Sequence, residues 1–136
     1  MAQPVAFEIE LDEPFDVAID TVTEALKTEG FGILTTIDVK ATLKQKLDKD
    51  FRPYTILGAC NPALAHRALT HEARIGILLP CNITVEATGS NGSIVRIGDP
   101  DALLKVGDLG QDPTVREVAA DARERLQRAA QALEQG

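Results

Sequence analysis

An α+β fold, a mostly antiparallel sheet of about five strands with helices packed on it, is what this sequence predicts. Three observations predict it. Five short segments alternate apolar and polar residues with the period of a half-buried strand, and four others carry apolar residues at helical spacing. The dipeptide Asn91-Gly92 separates two of the alternating segments, as a tight hairpin turn does.

The first segment sets Val5, Phe7, Ile9 and Leu11 against Ala6, Glu8 and Glu10, the pattern of a strand with one buried face. A helix follows over 14–29, where Phe15, Ile19, Val22 and Leu26 recur at helical spacing and Gly30 supplies the left-handed stop. Phe31, Ile33, Thr35, Ile37 and Val39 then alternate as a second strand. Val39, Leu43 and Leu47 lie four apart, which predicts a short amphipathic helix over 40–47 capped by Asp38.

The third strand is 54–60, with Tyr54, Ile56, Gly58 and Cys60 on one face and Thr55, Leu57 and Ala59 on the other. A helix over 62–72 buries Leu64, Ala68 and Leu69. The apolar run 75–79 ends at Pro80, which cannot donate to a ladder and implies an edge, a bulge or a break. Residues 82–88 and 93–97 form the hairpin about Asn91-Gly92, and 99–106 turns once or twice. The helix over 113–135 is the clearest: Val115, Val118, Ala119, Ala122, Leu126, Ala129 and Leu133 make one apolar stripe. Asp121 with Arg125 and Glu124 with Arg128 add pairs four residues apart. That small-residue stripe suits close packing on a sheet or on another helix, including one from a second copy. Several helix starts share an acidic or amide residue before proline: Asn61-Pro62, Asp99-Pro100, Asp112-Pro113 and, more weakly, Glu13-Pro14.

At 136 residues the chain fits a single domain spanning 1–136, with 44% hydrophobic and 26% charged residues, in the ordinary globular range. A formal net charge of -7 and a pI near 4.8 speak against nucleic acid as a partner, because phosphate neutralisation needs clustered Lys and Arg. Lys40, Lys44, Lys46, Lys49 and Arg52 form one basic patch, which reads either as an anion site or as a solvated helix face. No apolar run approaches the ~20 residues that span a bilayer, and the N-terminus lacks signal-peptide features, so the expectation is a cytoplasmic protein with no membrane partner. In a reducing compartment its two cysteines are expected as free thiols.

Both cysteines stand directly before an asparagine and beside a proline, in Ala59-Cys60-Asn61-Pro62 and Pro80-Cys81-Asn82. If the strands that carry them are neighbours, a polar cluster of Cys60, Asn61, Cys81 and Asn82 gathers at their ends. Each residue also has a plainer reading. Asn61 is a helix cap, and free cysteine usually packs as a small hydrophobe. Asn82 has less excuse, because asparagine is depleted in strands. Tyr54 shares a face with Cys60, and Gly58 leaves a gap between them that a ligand or a packed helix fills. His66 lies one step off the buried stripe of its helix, as a base, a third ligand or an exposed histidine. His71 sits about 140° around that helix from it, so the two make no metal-binding pair. Two thiols and one imidazole fall short of the four positions of a zinc site.

Gly30-Phe31-Gly32, Lys46-Leu47, the run from Tyr54 through Cys60-Asn61-Pro62 to Ala65, and Gly76-Ile77-Leu78-Leu79-Pro80-Cys81-Asn82-Ile83-Thr84-Val85 together resemble the family called domain of unknown function 302. The resemblance covers nearly the whole chain. It implies a curved antiparallel sheet of the TATA-binding-protein-like α+β fold and a homodimer, and it implies no activity. The acidic charge gives that fold name no DNA-binding meaning here.

Three functions are consistent with these residues. The leading one is a non-enzymatic homodimeric module that binds a small molecule or a metal at the two Cys-Asn motifs, with Tyr54 and His66 nearby. The second is a thiol-based redox protein or cysteine-dependent enzyme, with Cys60 as a thiolate favoured by the helix N-terminus, His66 as partner and Cys81 as resolving thiol. The third is a structural interaction protein that uses the C-terminal helix and a sheet face. The sequence names no cofactor and no substrate.

Overall fold

The computed structural model describes residues 3–135. Five strands, β1 (Ala6–Leu11), β2 (Gly32–Asp38), β3 (Tyr54–Cys60), β4 (Cys81–Ala87) and β5 (Ser93–Gly98), form one sheet in the order β1-β5-β4-β3-β2. Every neighbouring pair is antiparallel, as the hairpin and the alternating segments predict. The helices are α1 (Phe15–Thr28), α2 (Val39–Leu47), α3 (Pro62–His71), the single turn α4 (Pro100–Leu103) and α5 (Pro113–Gln135). Two 3-10 segments, Ala73–Leu78 and Gly107–Gln111, fill the links before β4 and α5.

Period-two alternation decides which sheet face is covered. Ile9, Leu11, Leu57, Ala59, Ile83, Val85, Val95 and Ile97 are all buried on one face. Against them lie α1, through Ala18, Val22 and Leu26, and α5, through its whole predicted stripe plus Ala130. Fully burying one such Leu, Ile or Val contributes about 1.5–3 kcal/mol, so this two-layer core dominates the stability. Ser93 sits in that layer and donates to the Glu13 carbonyl at 2.9 Å, which ties the start of β5 to the turn before α1.

Proline-led helix starts are capped where the preceding side chain is Asn or Asp. The Asn61 carboxamide accepts from Leu64 N–H at 3.2 Å, Asp99 from Asp101 N–H at 2.9 Å, and Asp112 from Thr114 and Val115 N–H at 2.9 and 3.1 Å. Asp38 caps α2 by accepting from Ala41 N–H at 2.9 Å. Glu13-Pro14 does not follow the rule: Pro14 itself stands at the cap position with no side-chain bond, and the Glu13 carboxylate accepts from the Thr21 hydroxyl instead.

Some boundaries and faces differ from expectation, each for a local reason. A bulge between Ile33 and Thr35 breaks the alternation of β2, so Thr35 pairs with Gly58 and Ile37 with Ile56 on the face away from the core. Ile37 is accordingly 46% exposed. As the last strand of the sheet, β2 gives α2 little to pack on; none of its residues is fully buried and Leu47 is 63% exposed. The β4–β5 hairpin forms, yet neither Asn91 nor Gly92 takes a left-handed conformation; the loop is longer, with Gly89 at φ 147° and Thr88 N–H bonded to the Gly92 carbonyl. Arg128 reaches Glu29 at the end of α1 rather than Glu124, while Arg125 does pair with Asp121 at 2.9 Å.

Candidate functional site

Register brings the two cysteines to one end of the sheet. Ala59 faces Cys81 across β3 and β4, so Cys60 and Cys81 lie on adjacent strands where β3 ends and β4 begins. Asn61 then turns the chain into α3. A Cβ at Gly30 would stand 2.9 Å from the Asn61 amide nitrogen, and Gly30 has φ 83°, so glycine is needed there both for the turn after α1 and for the approach of Asn61. The buried Asn61 side chain is thus held by the helix it caps and by the turn it packs on.

Beneath this corner lies a cavity of about 320 Å³. The sheet end contributes Ala59, Cys60 and Cys81, helix α3 contributes Leu64, Ala65 and Ala68, and α5 contributes Val118 and Ala122. Phe31, Ile75 and Leu104 close it further. Leu34, the residue extruded by the β2 bulge, and Leu69 also line it while remaining 67% and 41% exposed, so they mark where it meets solvent. A second hollow of about 330 Å³ shares the wall Leu79, Pro80, Cys81 and Leu104 and is bounded outside by Ile77, Leu103 and Val106. Ile77 is 86% exposed on its 3-10 segment.

Of the six candidate residues, the structure gathers Cys60, Asn61 and Cys81 around the first cavity. Asn82 is elsewhere: it pairs with Gly58 on the far sheet face, is exposed, and borders only the second hollow. Tyr54 begins β3, six residues from Cys60 and so about 20 Å away, where it meets Phe51 edge-on at 6.1 Å with the Arg52 guanidinium close by. His66 is exposed on α3 and does not line the cavity, although Ala65 beside it does. The gap at Gly58 is already filled, since a Cβ there would collide with the Thr35 hydroxyl and lie 2.7 Å from Pro80 Cγ.

The electrostatics of the corner are those of an apolar hollow. Burial, with a smaller push from the Cys60 thiol, raises the Cys81 thiol from 9.0 to about 11. Neither hollow has a charged side chain in its lining. Among the described residues no three His, Cys, Asp or Glu side chains converge, so the two thiols stand without the further ligands a zinc site requires. His71 instead contacts the Asp112 carboxylate at 2.8 Å, joining the end of α3 to the cap of α5, and this partner with the Val115 and Thr114 amides lowers the Asp112 pKa. The basic patch is interleaved with acid: Lys44 pairs with Asp48 at 2.9 Å, and Arg52 pairs with Glu86. On the sheet face opposite α1 and α5 Glu86 is buried between Arg52 and Arg96, with Glu8 beyond, and the bonds from Arg96 and Arg52 lower its pKa.

Two groups of cavity residues escape sequence reasoning. Leu34 and Leu69 read as buried or unremarked apolar positions, and nothing local announces the bulge that exposes one of them. Ala68 and Ala122 read as buried helix positions, whereas their small size, with that of Ala59 and Ala65, is what leaves the space unfilled.

A five-stranded antiparallel sheet with helices packed on it, and an apolar hollow at the sheet end beside Cys60 and Cys81, defines an α+β protein. The chain belongs to the family described as domain of unknown function DUF302, which matches residues 7–133. It is similar to the crystal structure of an uncharacterized conserved protein DUF302 from Bacillus stearothermophilus, with a TM-score of 0.83 and 29% sequence identity over 96% of this chain and 99% of that one. No curated protein matches. No helix among the described residues is long and apolar enough to cross a membrane.

Proposed function

We propose that this chain is a single-domain, non-enzymatic binding module that takes a small molecule in the cavity beside Cys60, Asn61 and Cys81. The cavity itself carries the reading. About 320 Å³ of open space lined by aliphatic side chains keeps apolar surface in contact with water, and a ligand of matching shape would take that surface out of it. Its size and lining fit the lower range of ligand pockets, with many apolar walls and few polar atoms. Redox chemistry is the weaker reading, because the burial that pushes Cys81 to about 11 keeps its thiolate fraction small at neutral pH and slows its attack on a disulfide.

The module acts as a cytoplasmic homodimer in this proposal. Unpaired Cys60 and Cys81 support the reducing compartment. The sheet face opposite α1 and α5, with Ile37, Ile56 and Ile94 incompletely buried, supports a partner there, while the stripe of α5 is spent on its own sheet and on α1. Light scattering of wild type and Ile56→Glu tests the dimer. For the ligand, native mass spectrometry of freshly purified protein is combined with a thermal screen of small molecules. A true ligand at a hundred times its Kd stabilises by about 2.7 kcal/mol, a rise of roughly 10 °C for a chain of this length. A protein that carries nothing and that no compound stabilises removes the reading.

A further inference from the structure

We infer that the molecule taken by the Cys60–Cys81 cavity is uncharged and mostly hydrocarbon, of roughly twelve non-hydrogen atoms, since a cavity of ~150 Å³ takes one benzene and this one is about twice that. This rests on the small-molecule reading above and narrows it to a chemical class.

Charge is what the lining rejects. Its polar side chains are Asn61 and the two thiols, and it includes no Lys, Arg, His, Asp or Glu. A carboxylate or ammonium carried inside would lose its hydration and meet no counter-ion, which is the costliest form of burial. The net charge of -7 adds a long-range penalty for anions. One neighbouring feature favours an anion, the start of α3, but the Asn61 carboxamide already takes the Leu64 amide there at 3.2 Å. The thiols are weak donors and acceptors, so they tolerate one hydroxyl, carbonyl or thioether without demanding it. Leu34 and Leu69 at the opening continue the apolar surface outward, which suits entry of a greasy molecule rather than capture of a charged head.

Three probes matched in size decide it: 1-naphthalenemethanol, 1-naphthoate and 1-naphthylmethylammonium, titrated by calorimetry into the full chain at neutral pH. The alcohol is expected to bind one site per chain at least about tenfold more tightly than either ion. Ala65→Phe, from a half-buried wall position, is expected to weaken the alcohol by about tenfold through lost volume, while Ala63→Phe, exposed on the same helix and outside the lining, leaves it unchanged. Should Ala65→Phe fail to fold, iodoacetamide reports the location in wild type: saturating alcohol must slow alkylation of Cys60 and Cys81, and unprotected thiols overturn the assignment. An ion that binds as tightly as the alcohol overturns the class and leaves the binding site standing. Silence from all three probes, with no hit in the thermal screen, overturns the site itself.

Discussion

Alkaline pH should destabilise this protein through Cys81. The thiol is raised from 9.0 to about 11 in the folded chain, chiefly by burial. A group with a raised folded pKa keeps its proton over the window in which the unfolded chain loses it. Its contribution is therefore fully present below about pH 9 and is lost as pH rises through about 11. Each pKa unit corresponds to ~1.4 kcal/mol, so the loss across the two-unit window is about 3 kcal/mol, a sizeable part of a typical domain's stability. Urea unfolding of wild type and Cys81→Ala in steps across that window isolates the effect, because every other side chain is common to the two proteins. Cys81→Ala starts lower from lost packing, and the gap should close by about 3 kcal/mol as pH rises. In a Cys60→Ala background the upper end of the window comes down, since the neighbouring thiol is the second cause of the shift. Parallel pH profiles for wild type and Cys81→Ala would refute the reasoning, and would reopen the case for Cys81 as a resolving thiol.

Gly58→Ala should cost about 1–3 kcal/mol in urea unfolding, because its new methyl meets the Thr35 hydroxyl and lies 2.7 Å from Pro80 Cγ on a sheet that cannot spread. Asn61→Ala should cost about 1 kcal/mol through the lost cap on Leu64, while Asn61→Ser keeps a capping oxygen without adding a buried charge and should lose less. Glu86→Gln should cost about 1–2 kcal/mol at neutral pH and flatten the acid limb of the stability curve. The sign follows from the lowered pKa of Glu86: its contribution is present above the ordinary carboxylate value of 4.5 and is lost as pH falls through the lower folded value. Unfolding curves at several acidic pH values for wild type and Glu86→Gln check it.

The parts of the fold legible in the sequence are those set by local chemistry. Asn61, Asp99 and Asp112 each cap a helix that proline opens, and Gly30 takes the left-handed turn its position demands. The stripe of α5 and the two faces of β3 follow from periodicity alone, because a misplaced Leu or Val would forfeit its burial. What escaped depends on partners far along the chain. The bulge at Leu34 depends on the pairing of β2 with β3, and through it the outward turn of Ile37. Arg128 chose Glu29 over its helical neighbour because the end of α1 packs beside α5. The candidate site was half legible: Cys60, Asn61 and Cys81 converge because they mark strand ends, while Asn82 obeys the alternation of β4 and points to the other face. A hollow cannot be read from one strand, since it is the volume that residues from six elements together fail to fill.

The same corner links stability to binding through Pro80. Its ring occupies the space above Gly58 on one sheet face, and with Leu79 and Cys81 it walls both hollows at the sheet end. A methyl group added at position 58 must therefore be absorbed by moving Thr35, Pro80 or both. If Pro80 gives way, Leu79 and Cys81 move with it, and the Cys81 thiol loses some of the burial that raises its pKa. Gly58→Ala should then lower the pH at which Cys81 becomes reactive toward iodoacetamide and weaken a neutral apolar ligand in the same protein. If Thr35 gives way instead, stability falls while the thiol and the ligand site are unchanged. Measuring all three on one variant separates a strained sheet from a deformed cavity, and shows whether the glycine serves the strand or the pocket behind it.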